Sequence, residues 1–243
     1  MITAVLSLLL ADLPNLRSLP GVESVEVVVE CKSPRLTIIH VRDWHFVDKQ
    51  SFALDVRDTS EKPLSDAEID DLHEDHRTTV AAVQKQQRRL MLSLVKRHGI
   101  RRVFHEGLVA EQLPAYKRRI AALKKLKPFL KGDDPLEQFI RHEYETDLLR
   151  LGVPGQLLID GQIEAVLPAE DKAAYEAANP VKPDGRIVFD QKAIEARENA
   201  IVRKMLHQSS KVAVVVLGGS HDLSDNIPAG VKLVEVTVRT YPE

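Results

Sequence analysis

The sequence predicts an α/β fold: a mostly parallel or mixed central sheet with helices on both faces, an opening hairpin and an antiparallel closing strand. Three observations carry this reading. Short β-branched runs alternate with amphipathic helical stretches along the chain. Residues 211–217 form an unbroken apolar run, the pattern of a strand buried on both faces. Two β-branched runs near the start, and an alternating run at the end, add antiparallel members.

The elements follow in order. Residues 24–30 and 35–41 are β-branched and separated by Cys31-Lys32-Ser33-Pro34, which predicts the hairpin. A polar turn at 58–63 leads to a helix over about 65–98. Ser65-x-x-Glu68 is a capping box at its start, in which the serine oxygen accepts a free backbone N–H and the glutamate reaches back. Ile69, Leu72, Val80, Val83, Leu90 and Leu94 form its apolar stripe, and Lys96-Arg97-His98-Gly99 supplies the charge and glycine of a helix end. Such a helix is about 50 Å long at a rise of about 1.5 Å per residue, so it is expected to kink or to project in part.

A strand at 101–105 and a helix over about 111–126, with Leu113, Tyr116, Ile120 and Leu123 on one face, come next. Asp134-Pro135 caps a further helix that ends before Gly152. The apolar residues 156–160 predict a strand, Pro168 is expected to open an alanine-rich helix that stops near Asn179-Pro180, and 182–186 read as a loop. Asp190 caps a helix to about His207, and the strands 211–217 and 231–239 complete a single domain over 1–243.

At 44% hydrophobic and 29% charged over 243 residues, the chain has enough apolar material for a core and too little bias for disorder. A formal charge of −2 argues against a global attraction to nucleic acid or anionic membrane. The basic segment from Lys117 to Lys131 has an apolar opposite face and no interleaved aromatics, so it reads as a solvated helix face. The lone Cys31 has no partner for a disulfide or a CxxC site. Residues 2–11 are apolar but too short to span a bilayer and lack a positively charged leader. They are expected to form a buried first helix in a cytoplasmic protein, or, as the remnant of an export signal, to indicate a periplasmic one.

Ligands of open α/β sheets bind beyond the carboxyl ends of the strands. His45, Glu106 and His221 each fall just after a predicted strand, as does, more weakly, Asp160. Two imidazoles and a carboxylate on one rim suit a divalent metal, Mn²⁺, Co²⁺ or Zn²⁺, with open positions for water and substrate. The same groups suit metal-free acid–base work, with His45 or Glu106 activating water. Gly218 and Gly219 permit a tight turn whose N–H groups approach an oxyanion, phosphate or cofactor. His40 and His105, inside strands, read as core or supporting residues. Arg197 shares a helical face with Ile194 and Ile201, so its guanidinium should turn inward and clasp a carboxylate, Glu106 or Asp160, with two parallel bonds.

Val216-Leu217-Gly218-Gly219-Ser220-His221, Arg197-Glu198-Asn199-Ala200-Ile201 and Phe104-His105-Glu106, in this order of strand and helix placement, resemble the TraB/GumN/Tiki and erythromycin esterase-like/ChaN superfamily over about 35–223. The first motif departs from that pattern, since Arg42-Asp43-Trp44-His45 has arginine where a glycine belongs. The resemblance implies a hydrolase of ester or peptide bonds, in some members metal-dependent, or a non-catalytic haem or small-ligand binder using His45 or His221 as axial ligand. A third alternative, supported by Arg42, is an interaction protein that kept the fold and lost the chemistry. The hydrolase reading assigns His45, Glu106 and His221 to an activated water and Arg197 to negative charge on a small-molecule or peptide substrate. A site role also implies that replacing His221 by alanine changes stability little.

Overall fold

The computed structural model describes residues 13–130, 134–181, 186, 188–209 and 211–242. The expected first helix at 2–11 and most of the loop at 182–186 lie outside them. In chain order the strands are β1 (Val22–Val29), β2 (Leu36–Asp43), β3 (Arg102–Val109), β4 (Ala165–Glu170), β5 (Val212–Gly218) and β6 (Val231–Val238). The α-helices are α1 (Lys49–Thr59), α2 (Asp66–His98), α3 (Leu113–Leu126), α4 (Pro135–Ile159), α5 (Lys172–Ala178) and α6 (Gln191–Gln208).

One mixed sheet has the strand order β1-β6-β2-β5-β3-β4. β2 lies parallel to β5 and β6, and β3 parallel to β4 and β5; the β1–β6 pair is antiparallel. The carboxyl ends of β2, β3, β4 and β5 therefore share one rim. Because side chains alternate across a strand, Ile39, Val41, Val214 and Val216 face α2, where they meet Val83, Leu90 and Leu94. Ile38, Val215 and Leu217 face the opposite way and pack on Ile201, Val202 and Met205 of α6. Each fully buried side chain of this size contributes roughly 1.5–3 kcal/mol. A smaller cluster, including Ile120, Leu123 and Tyr144, joins α3 to α4.

Several expectations are met by the local chemistry that motivated them. Ser65 and Glu68 form both bonds of the capping box, and Gly99 closes α2 in the left-handed region at φ 65°. α2 runs unbroken; its buried residues concentrate between Val80 and Val95, and α1 flanks the N-terminal half. Asp134 and Asp190 cap α4 and α6. The basic residues of α3 are exposed while Ile120 and Leu123 are buried. Among the described residues no helix is long and apolar enough to cross a membrane.

Three expectations are corrected. β1 and β2 are not a hairpin, because β6 inserts between them and pairs with both. The run at 156–160 is not a strand but the end of α4, which breaks at Gly152 (φ 61°, ψ 178°) and resumes helically. Its apolar residues are buried on a helix, and a run this short cannot distinguish the two by periodicity. Pro168 opens no helix; it lies within β4, an edge strand, where a missing N–H is tolerated, and the alanine-rich helix starts later at Lys172.

Candidate functional site

At the shared rim the sheet places His45, Glu106, Arg197 and His221 in one hydrogen-bonded cluster. Glu106 does not follow its strand as expected. It lies inside β3, where the ladder to β4 slips between His105 and Val109 and Gly107 takes φ 71°. A slip of this kind re-aims a side chain, here a carboxylate toward the rim.

Glu106 is the hub. Its Oε2 accepts from His45 Nε2 at 2.9 Å and from the Gly218 backbone N–H at 2.5 Å. Its Oε1 accepts from His221 Nε2 at 3.1 Å and from Arg197 Nη2 at 2.9 Å. Burial pushes this carboxyl up, but the bonds and charges of His221 and His45 outweigh it and hold the group well below its ordinary range.

Each histidine has a second carboxylate. His45 Nδ1 lies 3.0 Å from Asp43 Oδ2, and His221 Nδ1 lies 2.9 Å from Glu198 Oε1. With a carboxylate oxygen near both ring nitrogens, each ring is favoured in its doubly protonated form, the imidazolium. Burial lowers both histidines, but the paired carboxylates prevail: His45 is raised to about 10 and His221 to about 9. The two rings differ in access. The His45 side chain is 46% exposed and His221 only 9%, so His45 is the member of the cluster that meets a ligand.

Arg197 turns inward as its helical phase requires. Its two-bond partner is Glu170: Nε donates to Oε2 at 3.1 Å and Nη2 to Oε1 at 2.5 Å, while Nη2 also reaches Glu106. Asp160, the other expected partner, is engaged elsewhere with Arg88 and Lys127. The Glu170 side chain is fully buried, at the end of the unanticipated strand β4, and its Oε1 also accepts the Gly107 N–H at 3.2 Å. The guanidinium carbon sits 5.0 Å from the Tyr175 ring centroid, a cation–π contact.

The glycines serve packing against the cluster. A Cβ on Gly218 would lie 3.1 Å from His45 Nε2 and 3.3 Å from Glu106 Oε2, tighter than ordinary contact, and its N–H is spent on Glu106 rather than left for a ligand. A Cβ on Gly219 would collide with the Tyr241 hydroxyl and the Arg42 guanidinium. Arg42 stacks over Tyr241 at 4.9 Å and donates to the Gly219 carbonyl at 3.2 Å, so it braces the turn that carries His221. His40, fully buried, holds Leu217 O and Glu235 and supports the core of the sheet.

Sequence reasoning passed over three of the carboxylates. Asp43 is buried, fixed by Gln87 Nε2 at 2.8 Å, and orients His45 from two residues away. Its signal was the i, i+2 spacing, which puts both side chains on one side of an extended chain. Glu198 directly follows Arg197, and Glu170 was assigned to the wrong element.

The cluster forms the floor of a cavity of about 660 Å³, whose walls include Trp44, Phe52, Ile194 and Phe189. Both ring nitrogens of His45 and of His221 face carboxylate oxygens: Asp43 or Glu198 at Nδ1, and Glu106 at Nε2. Glu106 already accepts four donors, one from the Arg197 cation. Among the described residues no group of three or more His, Cys, Asp or Glu is arranged to hold a metal ion.

No family model matches the chain, and no curated protein and no solved structure matches it.

Proposed function

We propose that the protein is a hydrolase of ester or peptide bonds, working by acid–base chemistry on the His45–Glu106 pair. The observation that carries this reading is the 2.9 Å contact between the half-exposed His45 ring and the largely buried Glu106 carboxylate at the floor of a large cavity.

That contact restrains both partners: it makes His45 a weaker acid and Glu106 a weaker base. A water that takes the place of His45 Nε2 on Glu106 Oε2 removes two of the interactions that hold the carboxyl low. It removes Glu106 from His45 as well and leaves Asp43 to hold the ring by Nδ1. Glu106 then accepts a proton as the water attacks the acyl carbon, and His45 gives its Nε2 proton to the departing oxygen or nitrogen. Transfer of the proton from Glu106 back to His45 restores the pair, so one water is consumed and acid and alcohol or amine are released. His221 and Arg197 keep Glu106 aligned by its other oxygen. This reading keeps the hydrolase expectation of the TraB/erythromycin esterase-like resemblance without a metal step, and the substrate is a small molecule or peptide.

The test is turnover of p-nitrophenyl esters and fluorogenic peptides by protein dialysed against EDTA. Hydrolysis that falls by about 10²-fold or more in His45→Ala supports the reading. No turnover of any substrate, or turnover indifferent to His45→Ala, contradicts it. A Soret band on haem titration that disappears in the same variant would favour the haem-binding alternative instead.

A further inference from the structure

A second cavity, of about 440 Å³, lies against the same pair and shares His45 and Glu106 with the first. The first combines Trp44, Phe52, Ile194 and Phe189 with Asp55 and Arg197, whereas the second sets Arg119 and Arg150 beside Leu108, Tyr116, Leu151 and Tyr175. Arg119 and Arg150 both donate to one oxygen, Oδ1 of Asp147. Two guanidinium groups thus share one carboxylate oxygen at the cavity wall. Both arginines are nearly half exposed, at 47% and 43%, so their remaining donors are open to an incoming group. Among the lining residues Glu106 is the sole carboxylate, and both its oxygens are occupied. The inner wall also includes two buried polar atoms without a partner, the Tyr116 hydroxyl and His105 Nδ1.

We propose that this second cavity is a subsite for an oxyanion, a carboxylate or phosphate group, held by Arg119 and Arg150. Taken with the hydrolase reading, on which this extension rests, the substrate is an ester or amide with an anionic group on one side of the scissile bond and an apolar group on the other. The bond itself crosses the His45–Glu106 pair, where the cavities meet.

The test is calorimetric titration with glutarate and, separately, with inorganic phosphate, neither of which needs turnover. Wild type should bind at least one of them. Arg119→Gln/Arg150→Gln should weaken that binding by about tenfold or more, and Asp147→Asn, which frees both guanidiniums, should tighten it several-fold. Thermal melts report whether each variant folds; if the double variant does not, Arg150→Gln and Asp147→Asn decide with opposite expected signs. Preference for glutarate or for phosphate tells which oxyanion the site takes. No binding of either, or binding unaffected by these substitutions, overturns the subsite. Anion binding that persists in a protein with no hydrolytic activity would refute the hydrolase reading alone.

Discussion

Arg197 clasps Glu170 through two near-parallel hydrogen bonds, and the same guanidinium reaches Glu106, so one cation fixes two carboxylates from neighbouring strands. Burial works against its charge, but Glu170 and Glu106 more than compensate. A single ammonium cannot reproduce that fork. Arg197→Ala should cost about 3–5 kcal/mol, because it strands a fully buried carboxylate, and Arg197→Lys should recover less than about half of that. Denaturant melts of the two variants check this; a lysine variant as stable as wild type would remove the bidentate argument.

His221 gives a result opposite to the one its position after a strand suggests. The ring is 9% exposed and separates Glu198 from Glu106, so His221→Ala leaves two buried carboxylates facing each other. A loss of about 3 kcal/mol is expected. Replacing Glu198 as well, in His221→Leu/Glu198→Leu, should recover more than about half of it, since the pair leaves no stranded charge. A destabilised single variant without recovery in the double would mean that packing, not charge, governs the site.

Stability should depend on pH on both sides of a maximum near pH 6.5. His45 and His221 have folded values raised to about 10 and 9 from 6.5, so their contribution is complete below pH 6.5 and disappears as pH rises through 9 and 10. His76 and His105 are lowered, chiefly by burial, so the unfolded chain takes up protons more readily and stability falls as pH drops below 6.5. Glu106 and Asp43, held down despite burial, add a further loss below about pH 4.5. Melting temperatures from pH 3 to 11 check the profile. Removal of His45 and His221 should flatten its alkaline limb.

Much of the fold was legible where local chemistry decides. Ser65 with Glu68, Asp134 before Pro135, and Asp190 mark helix starts through bonds within a few residues, and the apolar run of β5 needs burial on both faces. The insertion of β6 between β1 and β2 has no local signature, because strand order is a property of the assembled sheet. β4 was hidden by Pro168, whose place on an edge strand depends on having no further neighbour. The candidate site was legible to the same degree: His45, Glu106 and His221 share a rim because the strands are parallel, and Arg197 reaches it because its phase on α6 turns it inward. Glu170 was not, since its role follows from β4, and neither was the protonation of the histidines, which depends on carboxylates brought in from α6 and from the strand before His45.

The loop that carries His45 is held by two histidines of α2. His73 Nε2 lies 3.1 Å from the Val47 carbonyl, and His76 Nε2 accepts the Val47 N–H at 3.2 Å, so Val47 is held by both of its backbone polar groups. A hydrogen bond of this kind contributes about 1 kcal/mol, and His76→Leu should speed exchange of the Val47 amide by about fivefold. Exchange at wild-type rate would show that the loop is held by Phe46 and Phe52 packing instead.

The protonation state of His45 tests the account most directly. Nitrogen-15 NMR of the histidine rings at pH 7 reads each ring nitrogen separately. The account requires His45 to be protonated at both Nδ1 and Nε2, to titrate near pH 10, and to return toward an ordinary value in Glu106→Gln. A His45 ring with one bare nitrogen at pH 7, titrating near 6.5 and indifferent to Glu106→Gln, would contradict it.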